Sequence, residues 1–199
     1  MDFVKIRKKK VFIDKGNLYL EHFNLNNISE IRRLSKNSHL RELYLEKNNI
    51  SSIERLEGLV NLKKLHLEAN HIFKISGLDS LSNLEDLELS GNEISKIEGL
   101  DNLRNLKELL LNKNKIKKIE GLDKLIDLEH LDLSDNQIED VEGLENLRNL
   151  RYLALSNNPI KNLKDLSFLP KLEILELDGI PNDENESIKK ENLKIVKQN

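Results

Sequence analysis

The sequence predicts an α/β fold in which one unit, repeated along the chain, builds a solenoid of short parallel strands joined by turns or short helices. Three observations indicate this. Asparagine recurs at an interval of 22 residues, an apolar frame recurs around each asparagine, and within every copy the apolar spacing changes from two residues to three. The recurrent asparagines are Asn26, Asn48, Asn70, Asn92, Asn114, Asn136 and Asn158.

One copy of the unit reads "LEDLELSGNEISKIEGLDNLRN" and runs from Leu84 to Asn105. Its pattern, L-x-x-L-x-L-x-x-N-x-I-x-x-I-x-x-L-x-x-L-x-x, fills residues 40–171 six times without a gap. The Leu87–Leu89 alternation predicts a short strand. The later spacing of three predicts a 3₁₀ turn or a short helix. Each copy has about seven inward aliphatic residues worth roughly 1.5–3 kcal/mol each when buried, so the copies must stack to cover them.

The two ends of the array are predicted to be caps of a single domain, residues 1–199. Residues 18–39 form a divergent first copy, with Glu21 at a normally apolar position, and residues 172–199 form a truncated last copy and a C-terminal cap. "VFIDKGNLYL", residues 11–20, predicts two short strands around the turn at 14–17, so residues 1–17 become an N-terminal cap whose hairpin includes 18–20. Terminal units of a stacked array must cover the core on one side.

The recurrent asparagine is predicted to be structural. Where the chain leaves the strand, backbone groups point into the stack and need partners. An amide side chain offers two donors and an acceptor, so it can bond its own turn and the neighbouring turn. We therefore expect the seven asparagines to form a ladder along the array.

The 22-residue pattern, with its apolar frame and its asparagine, resembles a leucine-rich repeat of the subclass found in the nuclear regulatory subunit of protein phosphatase 1 and in bacterial internalins. The resemblance covers residues 18–180. It implies a right-handed, curved solenoid with its parallel sheet on the concave side and short 3₁₀ or helical segments on the convex side. It also implies a protein-binding scaffold without intrinsic catalysis. Internalins carry secretion signals and surface attachments that are not seen here, and the phosphatase subunit has a longer array.

Side chains that flank the strand leucines point outward from the concave sheet. Across the seven copies from Leu40 onward, the three outward positions nearest each strand centre hold nine acidic residues and one basic residue, a formal charge of −8. The whole chain carries −3, so the remainder must carry +5. This face is the predicted site for a basic protein partner, with the residues Glu42, Tyr44, Glu46, His66, Glu68, Asp86, Glu88, Glu108, Leu110, His130, Asp132, Tyr152, Ile174 and Glu176.

Neighbouring strands place these side chains in rows about 4.8 Å apart. The copies predict one row of His22, Tyr44, His66, Glu88, Leu110 and Asp132, and beside it Glu42, Lys64, Asp86, Glu108, His130 and Tyr152. Crowded carboxylates without matching lysines destabilise a fold, which favours a basic partner over mere solubility. Aromatic side chains are favoured as binding hot spots. Tyr44 and Tyr152, with Leu110 and Ile174, are therefore the predicted apolar anchors.

Catalytic, metal and cofactor sites are not predicted. The chain has no cysteine, and its five histidines do not form H-E-x-x-H; phosphate-binding and nucleophile motifs are absent as well. His66 and Glu88, with Glu68 and Asp86 beside them, are the nearest approach to a metal-binding set, but an open sheet provides little enforced geometry. The basic run Lys5–Lys10 is interpreted as protection of a strand edge; the alternative is contact with nucleic acid or lipid.

The predicted function is a monomeric cytoplasmic adaptor or regulatory subunit, with no nucleic acid or membrane as partner. A leader peptide is not seen at the N-terminus. One alternative is an exported, internalin-like effector or adhesin that binds a host or surface protein. Another is a structural module that contacts an anionic surface through convex lysines, namely Lys74, Lys96, Lys117, Lys118 and Lys161.

Overall fold

The structure is a computed structural model that describes residues 2–161, 163, 166–179 and 193–196. Twelve strands lie in the described part of the chain: β1 Phe3–Ile6, β2 Lys9–Phe12, β3 Asn17–Tyr19, β4 Ile31–Arg32, β5 Glu42–Tyr44, β6 Lys64–His66, β7 Asp86–Glu88, β8 Glu108–Leu110, β9 His130–Asp132, β10 Tyr152–Ala154, β11 Ile174–Glu176 and β12 Lys194–Val196. Most of the predicted C-terminal cap lies outside the described residues.

The main sheet contains nine parallel strands in chain order, from β3 through β5–β12. From β5 to β11, neighbouring strands pair with an offset of 22 residues, as in Leu43↔Leu65 and Leu65↔Leu87. The central leucine of each of these strands is buried and its two neighbours face the other side. The predicted solenoid of stacked 22-residue repeats with a parallel sheet is confirmed.

The segments that return from one strand to the next are wound more tightly than an α-helix. In the turn that follows β5, the Leu59 N–H donates to Leu56 O at 2.9 Å, and the Leu62 N–H donates to Leu59 O at 2.9 Å. These are single 3₁₀-type bonds, which suit apolar residues spaced by three. Among the described residues only η1 Ile28–Glu30 and η2 Leu34–Lys36 are 3₁₀ helices, and both lie in the first turn of the solenoid.

The core is one continuous aliphatic column along the described array. Adjacent turns are so close that some turn positions have no room for a side chain. Gly121 has φ +69°, and a Cβ there would lie 2.6 Å from the carbonyl oxygen of Ile97 in the preceding turn. Glycine at this position therefore serves both the left-handed backbone and the spacing of the stack.

The first turn is longer than the others. β3 pairs with β5 at an offset of 25 residues, through Leu18↔Leu43 and Tyr19↔Tyr44. The extra residues lie in the return between η1 and η2, where β4 leaves the repeat pattern to pair with β1. The equal 22-residue spacing of Asn26 and Asn48 is therefore coincidental, and Asn26 lies exposed. The predicted place of Asn26 in the ladder is wrong.

The N-terminal hairpin also differs from the prediction. It is formed by β1 and β2 around a turn at Arg7 and Lys8, and β4 joins it to give a three-stranded antiparallel sheet, β2-β1-β4. The turn at 14–17 is closed only by an isolated bridge, Asp14↔Asn17, and it leads into the main sheet. The basic run therefore forms the hairpin itself.

Candidate protein-binding face

An inner ladder of asparagines fixes the stack behind the concave face. In each case the amide nitrogen donates to two leucine carbonyls, and the amide oxygen accepts from a backbone N–H of the preceding turn. Asn114 Nδ2 donates to Leu89 O and Leu111 O, both at 3.0 Å, and Asn114 Oδ1 accepts from the Ile94 N–H at 3.0 Å. The members are Asn48, Asn70, Asn92, Asn114, Asn136 and Asn158, all between 4% and 8% exposed.

The bonds of Asn48 reveal the longer first turn. Asn48 Nδ2 reaches back to Leu20 O at 2.8 Å, and Asn48 Oδ1 accepts from the Leu25 N–H at 3.0 Å. These partners lie three residues farther back along the chain than those of the other ladder members. The place that corresponds to Asn48 in the first turn is occupied by Phe23, which packs against the core.

The concave face consists of the outward side chains of strands β5–β11 and of the outward side chains just after each of these strands. Strand β3 contributes Tyr19, which is the first member of the face along the chain. One row runs Tyr19, Tyr44, His66, Glu88, Leu110 and Asp132. A second row runs Glu42, Lys64, Asp86, Glu108, His130, Tyr152 and Ile174. His22, predicted as the first member of the first row, instead lies beyond β3 in a left-handed turn with φ +59°.

The described strands place all fourteen predicted binding residues on this side of the sheet. Glu68 and His130 are exposed, and the other twelve are partly buried. Tyr19 is the member that sequence analysis missed, and it is 47% exposed. Alignment of Leu18 and Leu20 with Leu43 and Leu45 would have found it.

Aromatic rings line the N-terminal end of the face. Tyr19 stacks on Tyr44 with ring centroids 4.9 Å apart, and Tyr44 meets the ring of His66 edge to face at the same distance. The Tyr44 hydroxyl donates to Glu42 Oε2 at 2.8 Å. Burial, together with this carboxylate, raises the pKa of Tyr44. The result is a rigid aromatic surface bordered by carboxylates, which suits contact with a cation.

His66 is held between two carboxylates. Its Nε2 lies 3.2 Å from Asp86 Oδ2, and its Nδ1 lies 3.4 Å from Glu46 Oε1. Burial opposes a charge on the ring, but the hydrogen bonds to Asp86 and Glu46 outweigh it and raise the pKa of His66 to about 10. His66 is therefore an imidazolium at neutral pH, and it ties three neighbouring strands together.

The centre of the face holds carboxylates in unequal environments. Burial would raise the pKa of Asp86, but His66 and Lys64 hold it below its ordinary value. Burial and the nearby charge of Glu68 raise the pKa of Glu88, although its Oε1 accepts the Ser90 N–H at 2.7 Å. Negative charge at Glu88 is thus poorly compensated.

A metal site is not formed by the residues that the structure describes: they include no group of three or more ligand side chains able to hold an ion. His66, the histidine of the weak metal candidate, is bonded to Asp86 and Glu46. The histidine therefore serves as a cation within the acidic cluster.

A charge-alternating edge row runs beside the concave face, and sequence analysis did not recognise it. Its members are Lys63, Glu85, Lys107, Glu129, Arg151 and Glu173. Glu85 accepts from Lys63 at 2.6 Å and from Lys107 at 2.9 Å. Arg151 lies 3.6 Å from Glu129 and 2.5 Å from Glu173. Alternation at the repeat interval was the signal that could have revealed it.

The convex lysines are largely compensated. Lys74 and Lys96 both lie within 4 Å of Glu98, and Lys161 lies 2.5 Å from Glu139. Lys117 and Lys118 line a cleft with acidic neighbours, Glu139, Asp140 and Glu142. The convex side therefore presents both positive and negative charges, which argues against its use as a basic surface for contact with an anionic partner.

An outer row of asparagines forms a second set of bonds between turns. Asn61, Asn83, Asn105 and Asn149 each donate to a carbonyl 23 residues earlier, at 2.8 to 2.9 Å. Asn61, Asn83 and Asn105 are exposed and Asn149 is partly buried, whereas the members of the inner ladder are buried.

Comparison with known proteins identifies the repeat. The family model for Leucine Rich repeats (2 copies) matches residues 38–80 and 104–146. No curated protein matches the chain. The chain is similar to the crystal structure of an internalin C2 (inlC2) from Listeria monocytogenes, with TM-score 0.77 and 25% identity over 92% of this chain and 80% of that one.

A second internalin structure, inlF from the same organism, matches with TM-score 0.70 and 28% identity over 81% of this chain. The chain spans only 47% of the length of that inlF structure. Among the described residues no helix is long and apolar enough to cross a membrane.

Proposed function

Because the chain is built of leucine-rich repeats, we propose that it is a non-catalytic scaffold that binds a basic protein partner through its concave face, as a cytoplasmic adaptor or regulatory subunit. Concave solenoid surfaces are suited to binding extended partner surfaces. The observation that carries the proposal is the contrast in charge compensation between two adjacent sets of side chains. The edge row alternates in sign, whereas the concave face carries nine acidic residues against one lysine and the His66 imidazolium.

The N-terminal end of the face supports an anchoring role. Tyr19 is 47% exposed in its stack with Tyr44, Glu42 accepts a hydrogen bond from the Tyr44 hydroxyl, and Asp86 lies two strands farther along the sheet. An arginine or lysine of a partner would meet both ring faces and carboxylates there. Farther along, the apolar side chains of Leu110 and Ile174 and the ring of Tyr152 offer contact area between acidic neighbours.

The test compares two variants with the same change in net charge. The first is Glu68→Gln, Glu88→Gln and Glu108→Gln on the concave face. The matched control is Glu85→Gln, Glu129→Gln and Glu173→Gln in the edge row. Partners captured by the wild-type protein from its native lysate are identified by mass spectrometry, and the binding of each purified partner is then measured at several salt concentrations.

We expect the concave variant to lose on the order of tenfold in affinity for the partner and to show a weaker salt dependence. The edge-row control should bind as the wild type does. Equal affinity of the wild type and the concave variant for every captured partner would remove the concave face from consideration.

A second candidate function is that of an exported, internalin-like protein that binds a host or surface protein. The similarity to inlC2 over 80% of that chain favours it. Expression of the tagged full-length gene in the source organism, followed by fractionation, separates the two candidates. Accumulation of the tag outside the cell supports export, and retention in the cytosol supports the adaptor.

A further inference from the structure

Positive charge is concentrated at the N-terminal end of the protein. Residues 1–36 contain nine lysines and arginines against four acidic residues, a formal charge of +5, so residues 37–199 carry −8. The basic excess that balances the acidic face is therefore largely a property of the first turn and its cap. Such an asymmetry indicates a contact with an anionic partner.

The three-stranded sheet displays this charge on one outer face. Cross-strand partners share a face of an antiparallel sheet. The pairs Phe3↔Phe12, Lys5↔Lys10 and Lys5↔Arg32 therefore define the cap face, whose members are Phe3, Lys5, Lys10, Phe12 and Arg32. The opposite face places Val4, Ile6 and Ile31 in the core.

Lys5, on the central strand, stands directly opposite Lys10 on one side and Arg32 on the other. Lys5, Lys10 and Arg32 are exposed, and no described carboxylate lies within 4 Å of any of their charged nitrogens. Like charges directly opposite on a sheet are destabilising. The convex residues Lys74, Lys96 and Lys161, by contrast, each lie within 4 Å of a glutamate. A ligand that neutralises the row would relieve this repulsion.

Aromatic rings border the cations. Phe12 is 53% exposed and meets Phe3 edge to face, with ring centroids 6.1 Å apart. Lys10 and Arg33 lie over the ring of Phe3, at 4.6 and 4.5 Å from its centroid. Phe12 is thus the ring free to enter an apolar environment while the cations stay at its border.

We propose that the cap face is a peripheral binding site for the anionic headgroups of a lipid bilayer surface. Basic residues near such a surface are attracted to anionic lipids, and an exposed aromatic ring lies favourably at the interface. A single-stranded nucleic acid fits less well, because successive bases need successive aromatic platforms, and with Lys10 and Arg33 over Phe3 the cap face offers Phe12 alone. This site is separate from the concave face and is independent of its partner.

The experiment is co-sedimentation of the full chain with phosphatidylcholine vesicles prepared with or without phosphatidylserine. The test variant is Lys5→Gln, Lys10→Gln and Arg32→Gln. Its matched control, Lys74→Gln, Lys96→Gln and Lys161→Gln, has the same net charge but alters convex lysines that are paired. Thermal unfolding of both variants is recorded first, and the cap variant should be no less stable than the wild type because repulsion has been removed.

We expect the wild type to bind only the vesicles that contain phosphatidylserine and to be released by salt. The cap variant should lose on the order of 100-fold in affinity, and the convex control less than about threefold. Phe12→Ser should lose about tenfold while keeping the salt dependence.

Three results would overturn the proposal. One is the absence of binding to the anionic vesicles. Another is equal loss of affinity in the cap variant and the convex control. The third is binding of a labelled single-stranded oligonucleotide, measured by fluorescence anisotropy, without binding to the vesicles.

Discussion

The inner ladder and the concave face repeat along the same array, one behind the sheet and the other in front of it. Behind the sheet, six successive turns present the same residue with the same bonds, as Asn70 and Asn136 illustrate. In front, one row changes from tyrosine to histidine, glutamate, leucine and aspartate. The asparagine row is uniform because its side chains bond the backbone of the neighbouring turn, which is the same in every copy. The side chains of the variable row face solvent, and this is the surface on which we propose that a partner binds.

The edge row refines this comparison. It varies in residue type, yet each change of sign is matched by its neighbours, as at Glu85 between Lys63 and Lys107. Variation there is internally compensated. On the concave face compensation is incomplete: Lys64 and His66 lie beside Asp86, but Glu88 has a raised pKa because of burial and of the nearby charge of Glu68. Incomplete compensation of negative charge, more than variation in residue type, distinguishes the concave face from the edge row.

The largest effect is expected inside the array. Asn114→Leu removes the acceptor of the Ile94 N–H and the donors to Leu89 O and Leu111 O. Each buried polar group left without a partner costs about 1–3 kcal/mol. We expect the free energy of unfolding, measured in urea, to fall by at least about 3 kcal/mol.

Asn112→Leu is the control for this prediction, because Asn112 is half-buried on the concave side and accepts a hydrogen bond from the Ser90 hydroxyl. It should cost no more than about 1 kcal/mol. Identical unfolding midpoints for the two variants would mean that the ladder contributes no particular stability.

An intermediate effect is expected at His66. Its pKa is raised to about 10 in the folded protein, against 6.5 for an ordinary histidine. Its stabilising contribution is therefore complete below about pH 6.5 and is lost as the pH rises through about 10. Allowing for solvent screening, we expect the wild type to lose about 1–2 kcal/mol more than His66→Gln between pH 6 and pH 10.

His130→Gln provides the comparison, because its ring lies beside Tyr152 with centroids 5.8 Å apart and not between two carboxylates. Urea unfolding of both variants across the pH range is the measurement. The same pH dependence in the His66→Gln variant and the wild type would show that the imidazolium does not contribute.

The smallest effects should have opposite signs in the two acidic settings. Glu88→Gln removes a charge whose pKa is raised by burial and by Glu68, so the folded state should gain a few tenths of a kcal/mol. Glu85→Gln removes a charge whose pKa is lowered by Lys63 and Lys107, so stability should fall by less than about 1 kcal/mol. Thermal unfolding at neutral pH and low salt measures both. Shifts of the same sign would contradict the distinction between the two surfaces.

Most of the array could be predicted because its period is set by backbone contacts between identical turns. From Leu40 onward, the 22-residue interval carries the strands and the inner ladder together, so one alignment places every outward side chain. The concave rows from β5 to β11 follow directly. Which of those residues meet a partner remains a proposal, because the same carboxylates also serve solubility.

The first turn could not be predicted from that period. Three additional residues displace its strand while the spacing of Asn26 to Asn48 stays at 22, so the alignment selected His22 instead of Tyr19. The glutamate placed at an apolar position, Glu21, was the signal that the register was wrong. Strand β4 lies in the return segment of the first turn and pairs with β1. The repeat pattern carries no information about this pairing, because it does not recur in the other turns.

Each amide of the inner ladder bonds only its own turn and the turn immediately before it, so none of these bonds skips a turn. The length of the concave face can therefore change without any change in the bonds between neighbouring turns. Excision or duplication of a whole 22-residue module would rejoin equivalent carbonyls and amides, and would shorten or lengthen the concave face by about 4.8 Å. Gene duplication could thus resize the surface in discrete steps without a new folding problem at each one.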